Sequence, residues 1–110
     1  MGTYIYPVVL KEKGTDDYGN MVWKTDDPDL EIDYDDWPNK SHRLIVGDDW
    51  KIPCDFESDS AASCTGQSYY RPVDIDAAIK RVIELRDDTH PFIPVLELMK
   101  TNKNVYFELS

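Results

Sequence analysis

The chain is short of basic residues, glycine and cysteine, and it has no long apolar run. Twelve Lys and Arg stand against 22 Asp and Glu, a net charge of −10 over 110 residues. That balance argues against nucleic acid as a direct partner, because phosphates would be repelled. It argues equally against anionic membrane surfaces. The five glycines, Gly2, Gly14, Gly19, Gly47 and Gly66, are scattered, so no phosphate-cradling loop is present. Cys54 and Cys64 are the only cysteines, too few for a disulfide framework or a cysteine-rich metal motif. No stretch nears the ~20 apolar residues of a membrane-spanning helix. Met1-Gly2-Thr3-Tyr4 does not open a signal peptide, and Tyr6 stands where N-myristoylation wants Ser or Thr. The expectation is a soluble, cytoplasmic protein with free thiols. Bridging of Cys54 to Cys64 is the alternative in an oxidising compartment.

What is present is enough for one domain, residues 1–110. With 41% hydrophobic and 12% aromatic residues, a chain of this length builds a single core without staples. The acidity is lopsided. Residues 1–60 carry a net charge of −9 and residues 61–110 only −1. A general solubility device would be spread more evenly.

Seven of the eleven residues from Asp26 to Asp36 are acidic and none is basic. Asp29, Glu31, Asp33 and Asp35 alternate with Leu30, Ile32 and Tyr34. Extended, such a segment has a row of carboxylates on one face and an apolar face for a core. Neighbouring carboxylates on that face would stand about 6.7 Å apart. At that distance a solvated pair repels by roughly 0.6 kcal/mol, so the row is tolerable in water but nothing local rewards it. The plain explanation is an edge strand whose charges block aggregation. The functional explanation is a docking surface for a basic protein, where complementary fields speed association and reject wrong partners. Nucleic-acid mimicry is a special case, and it would need Asp16, Asp17, Asp26, Asp27, Asp48 and Asp49 to converge on the same face. A calcium loop starting at Asp29 fails, with Tyr34 where Gly is required and Lys40 where Glu is required.

An acid-acid-aromatic triplet occurs three times: Asp16-Asp17-Tyr18, Asp35-Asp36-Trp37 and Asp48-Asp49-Trp50. A ring beside carboxylates suits an arginine, which stacks and pairs bidentately. Equally, the rings are core anchors at strand ends and the aspartates belong to turns. Catalysis has little support. His42 and His90 fall in no nucleophile or metal spacing and read as surface residues. Cys64 with Arg71 only superficially suggests a thiolate-phosphate loop, and Cys64 reads as an ordinary loop thiol.

The periodicity predicts a strand over Thr3–Glu12, with Pro7 marking an edge position or a bulge. A turn-rich connection follows, then a second strand over Met21–Thr25, so the two form a hairpin. The stripe Asp29–Asp35 is a candidate third strand. Further strands are expected over Ser41–Val46 and Trp50–Phe56, the latter weakened by Pro53. Residues 57–68 read as a loop. Tyr69-Tyr70-Arg71-Pro72 reads as the lead-in to a helix over Ile75–Asp87, capped by Asp74. Pro91–Lys100 fits a helix better than a strand. Asn104–Leu109 closes the fold as a strand, beside the early ones. The expected class is α+β: a mostly antiparallel sheet of 4–5 strands with one or two helices packed on one face.

The expected function is that of a non-enzymatic inhibitor or interaction protein without cofactor or metal. It would present Asp27, Asp29, Glu31, Asp33, Asp35, Asp36, Asp48 and Asp49, flanked by Trp37 and Trp50, to a basic cleft. The partner expected is a basic protein, such as a nucleic-acid-processing enzyme or a toxin; oligomeric state is open. Nuclease-toxin immunity proteins and phage inhibitors of host nucleic-acid enzymes (counter-defence proteins, some of them DNA mimics) are similar in composition: small, acidic and motif-poor. The alternative is a small metal- or ligand-binding domain built on the acid-aromatic triplets.

Overall fold

The computed structural model describes residues 5–15, 17–19, 21–28, 30, 41–46, 50–58 and 68–109. They form an α+β fold with an antiparallel sheet. In chain order the elements are β1 (Ile5–Thr15), β2 (Met21–Asp26), α1 (Arg43–Val46), β3 (Cys54–Ser58), β4 (Ser68–Pro72), α2 (Ile75–Leu85), α3 (Phe92–Thr101) and β5 (Val105–Leu109). The strand order is β2-β1-β5-β4-β3, and every neighbouring pair is antiparallel.

The first two strands form the predicted hairpin, with Gly19 in its turn at a φ of 79° that side chains rarely adopt. The closing strand is also as predicted. It lies between β1 and β4, and Ile5 pairs with Leu109, so the two ends of the described chain are neighbours.

Pro7 is accommodated by strand polarity. Leu10 donates its N–H to the Asn104 carbonyl at 2.8 Å, so even-numbered residues of this part of β1 turn their backbone groups toward β5. The nitrogen of odd-numbered Pro7 faces the other way, two residues beyond Val9, where pairing with β2 ends. Its missing N–H breaks no rung of the β1–β5 ladder. β1 is thus an interior strand that is edge-like only at this end. The register irregularity lies elsewhere, between Leu10 and Glu12.

Three expectations are corrected. Ser41–Val46 is not a strand: Arg43–Val46 is a single helical turn. Leu44 and Ile45 are consecutive and both buried in one cluster, which a helix permits and strand alternation forbids. The strand expected from Trp50 starts only at Cys54, because Lys51 takes a left-handed φ of 52°. Tyr69–Pro72 is not a lead-in but part of an inner strand, where Ser68–Tyr70 pair with β3 on one side and β5 on the other. The described residues therefore hold three helices rather than one or two.

The helices follow local chemistry. Asp74 caps α2, its side chain accepting the Ala77 N–H at 3.1 Å. Ala78 and Val82 are buried one turn apart, with Ile75 and Ile79 half-buried beside them. The helix ends at Leu85, short of the predicted Asp87. In α3, Phe92, Val95, Leu96 and Met99 form a continuous buried face, and Pro94 sits in the first turn, where it breaks no helical bond.

The principal core joins the helices to one sheet face. Phe92 and Phe107 meet there with ring centroids 4.6 Å apart, among Leu44, Trp50, Val82 and Leu96. The other face is not bare. Val8, Leu10 and Tyr69 are buried in a smaller cluster with Tyr6, Trp23 and Tyr106 around it. Alternation explains the split: Val8, Tyr69 and Tyr106 point to one side, Val9, Tyr70 and Phe107 to the other. Burial is thus two-sided, not confined to the single face expected.

Candidate functional site

Of the ten residues expected to meet a partner, the structure describes two. Asp27 is exposed just beyond β2, an outer strand of the described sheet. Asp29, Glu31, Asp33, Asp35, Asp36, Trp37, Asp48 and Asp49 lie outside the described residues. Trp50 is placed differently from expectation. It is only 2% exposed, sits in the principal core, and donates its indole N–H to Cys54 Sγ at 3.2 Å. Trp50 is a structural anchor, not the exposed ring expected beside the acidic residues.

The three acid-aromatic triplets are therefore not equivalent. Tyr18, at the β1–β2 turn, is 89% exposed beside exposed Asp17, whereas Trp50 is inside. The third ring, Trp37, is outside the described residues.

The run from Asp26 to Asp36 begins on a firm base. Asp26 accepts an ion pair from Lys11 at 2.9 Å and the backbone N–H of Asp27 at 3.0 Å. The Lys11 hydrogen bond, more than the backbone bond or the Lys11 charge, holds the Asp26 carboxyl below the usual carboxylate range. Pro28 is buried, and half-buried Leu30 touches the principal core. At the far side of the gap, Ser41 is buried against His90, Oγ to Nε2 at 3.5 Å. Residues 31–40 thus lie between two anchored points.

The rest of the fold is nearly neutral. Nine of the 22 acidic residues and one of the twelve basic residues lie outside the described residues, which leaves the described ones at a formal −2. Many described charges are paired: Lys24 with Glu12 at 3.0 Å, Arg81 with Glu84 at 3.1 Å, and Lys100 with Asp76 at 2.7 Å. These exposed pairs contribute little to stability each, but they cancel field locally.

Two residues with possible chemistry have structural roles. His90, expected at the surface, is 4% exposed. Its Nδ1 accepts the Phe92 N–H at 3.1 Å, which fixes the neutral ring with its hydrogen on Nε2, toward Ser41. Arg71 donates to three backbone carbonyls: Met99 at 2.6 Å, Asn102 at 3.0 Å and Val105 at 3.0 Å. Its guanidinium closes the end of α3 and is committed there, so it offers no phosphate loop with Cys64. Cys54 is a free thiol whose pKa burial pushes up, against the Trp50 hydrogen bond that lowers it.

A basic groove escapes notice in the sequence. Ala77, Lys80, Arg81 and Glu84 form one stripe of α2 at the i, i+3, i+4, i+7 spacing. Facing them across about 400 Å³ are Trp50, Lys51 and Ile52. Lys80-Arg81 is the only adjacent basic pair in the chain, and that was the available signal. Lys51 joins them only through the fold.

Among the described residues no three His, Cys, Asp or Glu gather as metal ligands, and no helix is long and apolar enough to cross a membrane. No protein-family model, curated protein or solved structure matches the chain.

Proposed function

We propose that the protein is a non-enzymatic interaction protein, an inhibitor whose acidic segment occupies a basic cleft on another protein. The observation that carries this reading is the partition of charge. The described residues are close to neutral at −2, so most of the net −10 belongs to residues outside them, chiefly the run that starts at exposed Asp27. A chain using acidity only for solubility would have no reason to concentrate it in so few stretches of sequence. Buried Pro28 and Ser41 support the same reading, since a carboxylate-bearing segment anchored at both ends loses less freedom on binding. The partner class that fits is a basic protein surface, such as that of a nucleic-acid-processing enzyme or toxin. Immunity-type and counter-defence inhibition are the biological forms this would take.

The test is capture of partners from lysate of the source cell at about 50 mM and about 300 mM salt, where the screening length falls roughly twofold. A basic protein retained at low salt and released at high salt is expected, and the triple change Asp29→Asn, Asp33→Asn and Asp35→Asn should weaken its binding at least tenfold. A partner held equally at both salt levels, or indifferent to the triple change, removes the proposal.

A further inference from the structure

The groove between α2 and residues 50–52 is out of character with the molecule around it. In a chain of net charge −10, the described residues that line it include Lys51, Lys80 and Arg81 against one carboxylate, Glu84. Arg81 is tied to Glu84 at 3.1 Å, with both side chains partly exposed. Lys51 and Lys80 are exposed and take part in no ion pair among the described residues. Between these cations the groove has an apolar base of Trp50, Ile52 and Ala77. The backbone of Lys51 is left-handed, at φ 52°, and this residue lines the groove together with the α2 residues. Lysine rarely takes that conformation, which persists only where the surroundings impose it.

Shape and charge together select the occupant. The α2 wall from Ala77 to Glu84 is about 10 Å long at 1.5 Å per residue. An extended strand covers that length with about three residues. The groove is open along its length, so a small ligand would keep much of its surface in water. A peptide laid across it needs only one side covered. Cations on both walls and an apolar base fit a segment in which acidic and apolar side chains alternate. The apolar side chain lies on Ile52 and Ala77, and the carboxylates on either side reach Lys51 and Lys80.

We propose that this groove is a docking site for an extended acidic peptide segment of a partner protein, recognised by Lys51 and Lys80 across the Trp50–Ile52 base. The proposal is independent of the acidic-surface reading, since it concerns a different face chemistry and different residues. An inhibitor and its target would gain orientation from having one site of each sign.

The test is an amide NMR titration of the whole chain with the capped synthetic peptide Asp-Leu-Asp-Leu-Asp. Saturable shifts are expected at Lys51, Ile52, Ala77, Lys80 and Glu84, shrinking as salt is raised. Lys51→Glu with Lys80→Glu should raise the dissociation constant tenfold or more. Both positions are exposed; retained peak dispersion confirms the fold, and Lys80→Gln alone serves as a milder second variant. Three results would each overturn the proposal. They are the same shifts from the neutral peptide Asn-Leu-Asn-Leu-Asn; shifts that map elsewhere or survive both variants; and tighter saturation of the same amides by inorganic phosphate, which would make the groove a small-anion site.

Discussion

The His90 imidazole accepts the Phe92 backbone N–H at 3.1 Å and stands edge-on to the Phe92 ring, with centroids 4.7 Å apart. One side chain thus satisfies an orphan donor at the start of α3 and packs against a fully buried aromatic of the core. Pro91 precedes the helix and offers no side-chain cap, so the imidazole takes that role.

This geometry makes stability depend on pH. Protonation would aim an N–H of His90 at the N–H of Phe92, inside the protein and at the positive end of a helix. Burial, with a smaller push from Arg86 and against Asp87, takes the His90 pKa down from 6.5 to about 4. The unfolded chain then binds the proton more readily between pH 6.5 and 4. Stability is full above that range and falls as pH drops through it, by roughly 3 kcal/mol at the limit. Urea denaturation at pH 7.5 and pH 4.5 measures it. His90→Gln, which retains an acceptor for Phe92, should lose most of the pH 7.5-to-4.5 difference. Equal differences in both proteins would show that another group governs the acid limb. Asp87 is not a rival in this window: hydrogen bonds from Thr89 lower its pKa below 3.8, so its contribution is lost only at more acid pH.

Arg71 is the second site of concentrated dependence. Its three carbonyl acceptors come from α3, from the connection after it, and from β5, so one guanidinium fixes the helix end to the sheet. Arg71→Ala leaves those carbonyls without this donor, and a loss of about 2–4 kcal/mol is expected from bonds to a charged group. Arg71→Lys cannot span three acceptors from one planar fork and should recover less than half. Denaturation midpoints decide. A change in Arg71→Ala under about 0.5 kcal/mol would mean that water replaces the side chain at little cost.

Trp50 and Cys54 offer a chemical readout of the core. Trp50→Ala should cost about 3–5 kcal/mol, the usual range for emptying a buried indole site. Trp50→Phe should largely keep the fold and remove the indole donor, which lowers the thiol pKa. Cys54 in a Cys64→Ser background should then alkylate more slowly than in the parent at pH 8.5, and both more slowly than a free thiol peptide. Faster alkylation in Trp50→Phe, with unchanged stability, would contradict the hydrogen bond.

Part of this architecture was legible in the sequence, for identifiable reasons. α2 announces itself through Asp74 and the 3.6-residue spacing of Ile75, Ala78, Ile79 and Val82. The N-terminal hairpin shows in β-forming runs either side of a glycine-bearing turn. What could not be read was set by tertiary context. Leu44 and Ile45 look like strand residues, and only a core on one side makes a helical turn the better way to bury both. Ser68–Pro72 is five residues with no clean polarity pattern, because an inner strand has apolar demands on both faces. Trp50, like Trp37, follows two aspartates, and nothing in that local pattern shows that Trp50 is buried. The basic groove was invisible because Lys51 and Lys80 are 29 positions apart. The stripe remains as the sequence presented it, outside the described residues apart from Asp26, Asp27, Pro28 and Leu30.

β5 has a consequence for how the molecule is made. Among the described residues it is the strand that bridges the β1–β2 and β3–β4 pairs, and its pairing with β1 joins residues about a hundred positions apart, Ile5 to Leu109. During synthesis both hairpins are complete well before β5 leaves the ribosome. Until then β1 and β4 each wait with an unsatisfied side, and neither half can finish its core. Completion of the described sheet therefore waits for β5 and is expected to be slow, because the decisive contact closes a long loop.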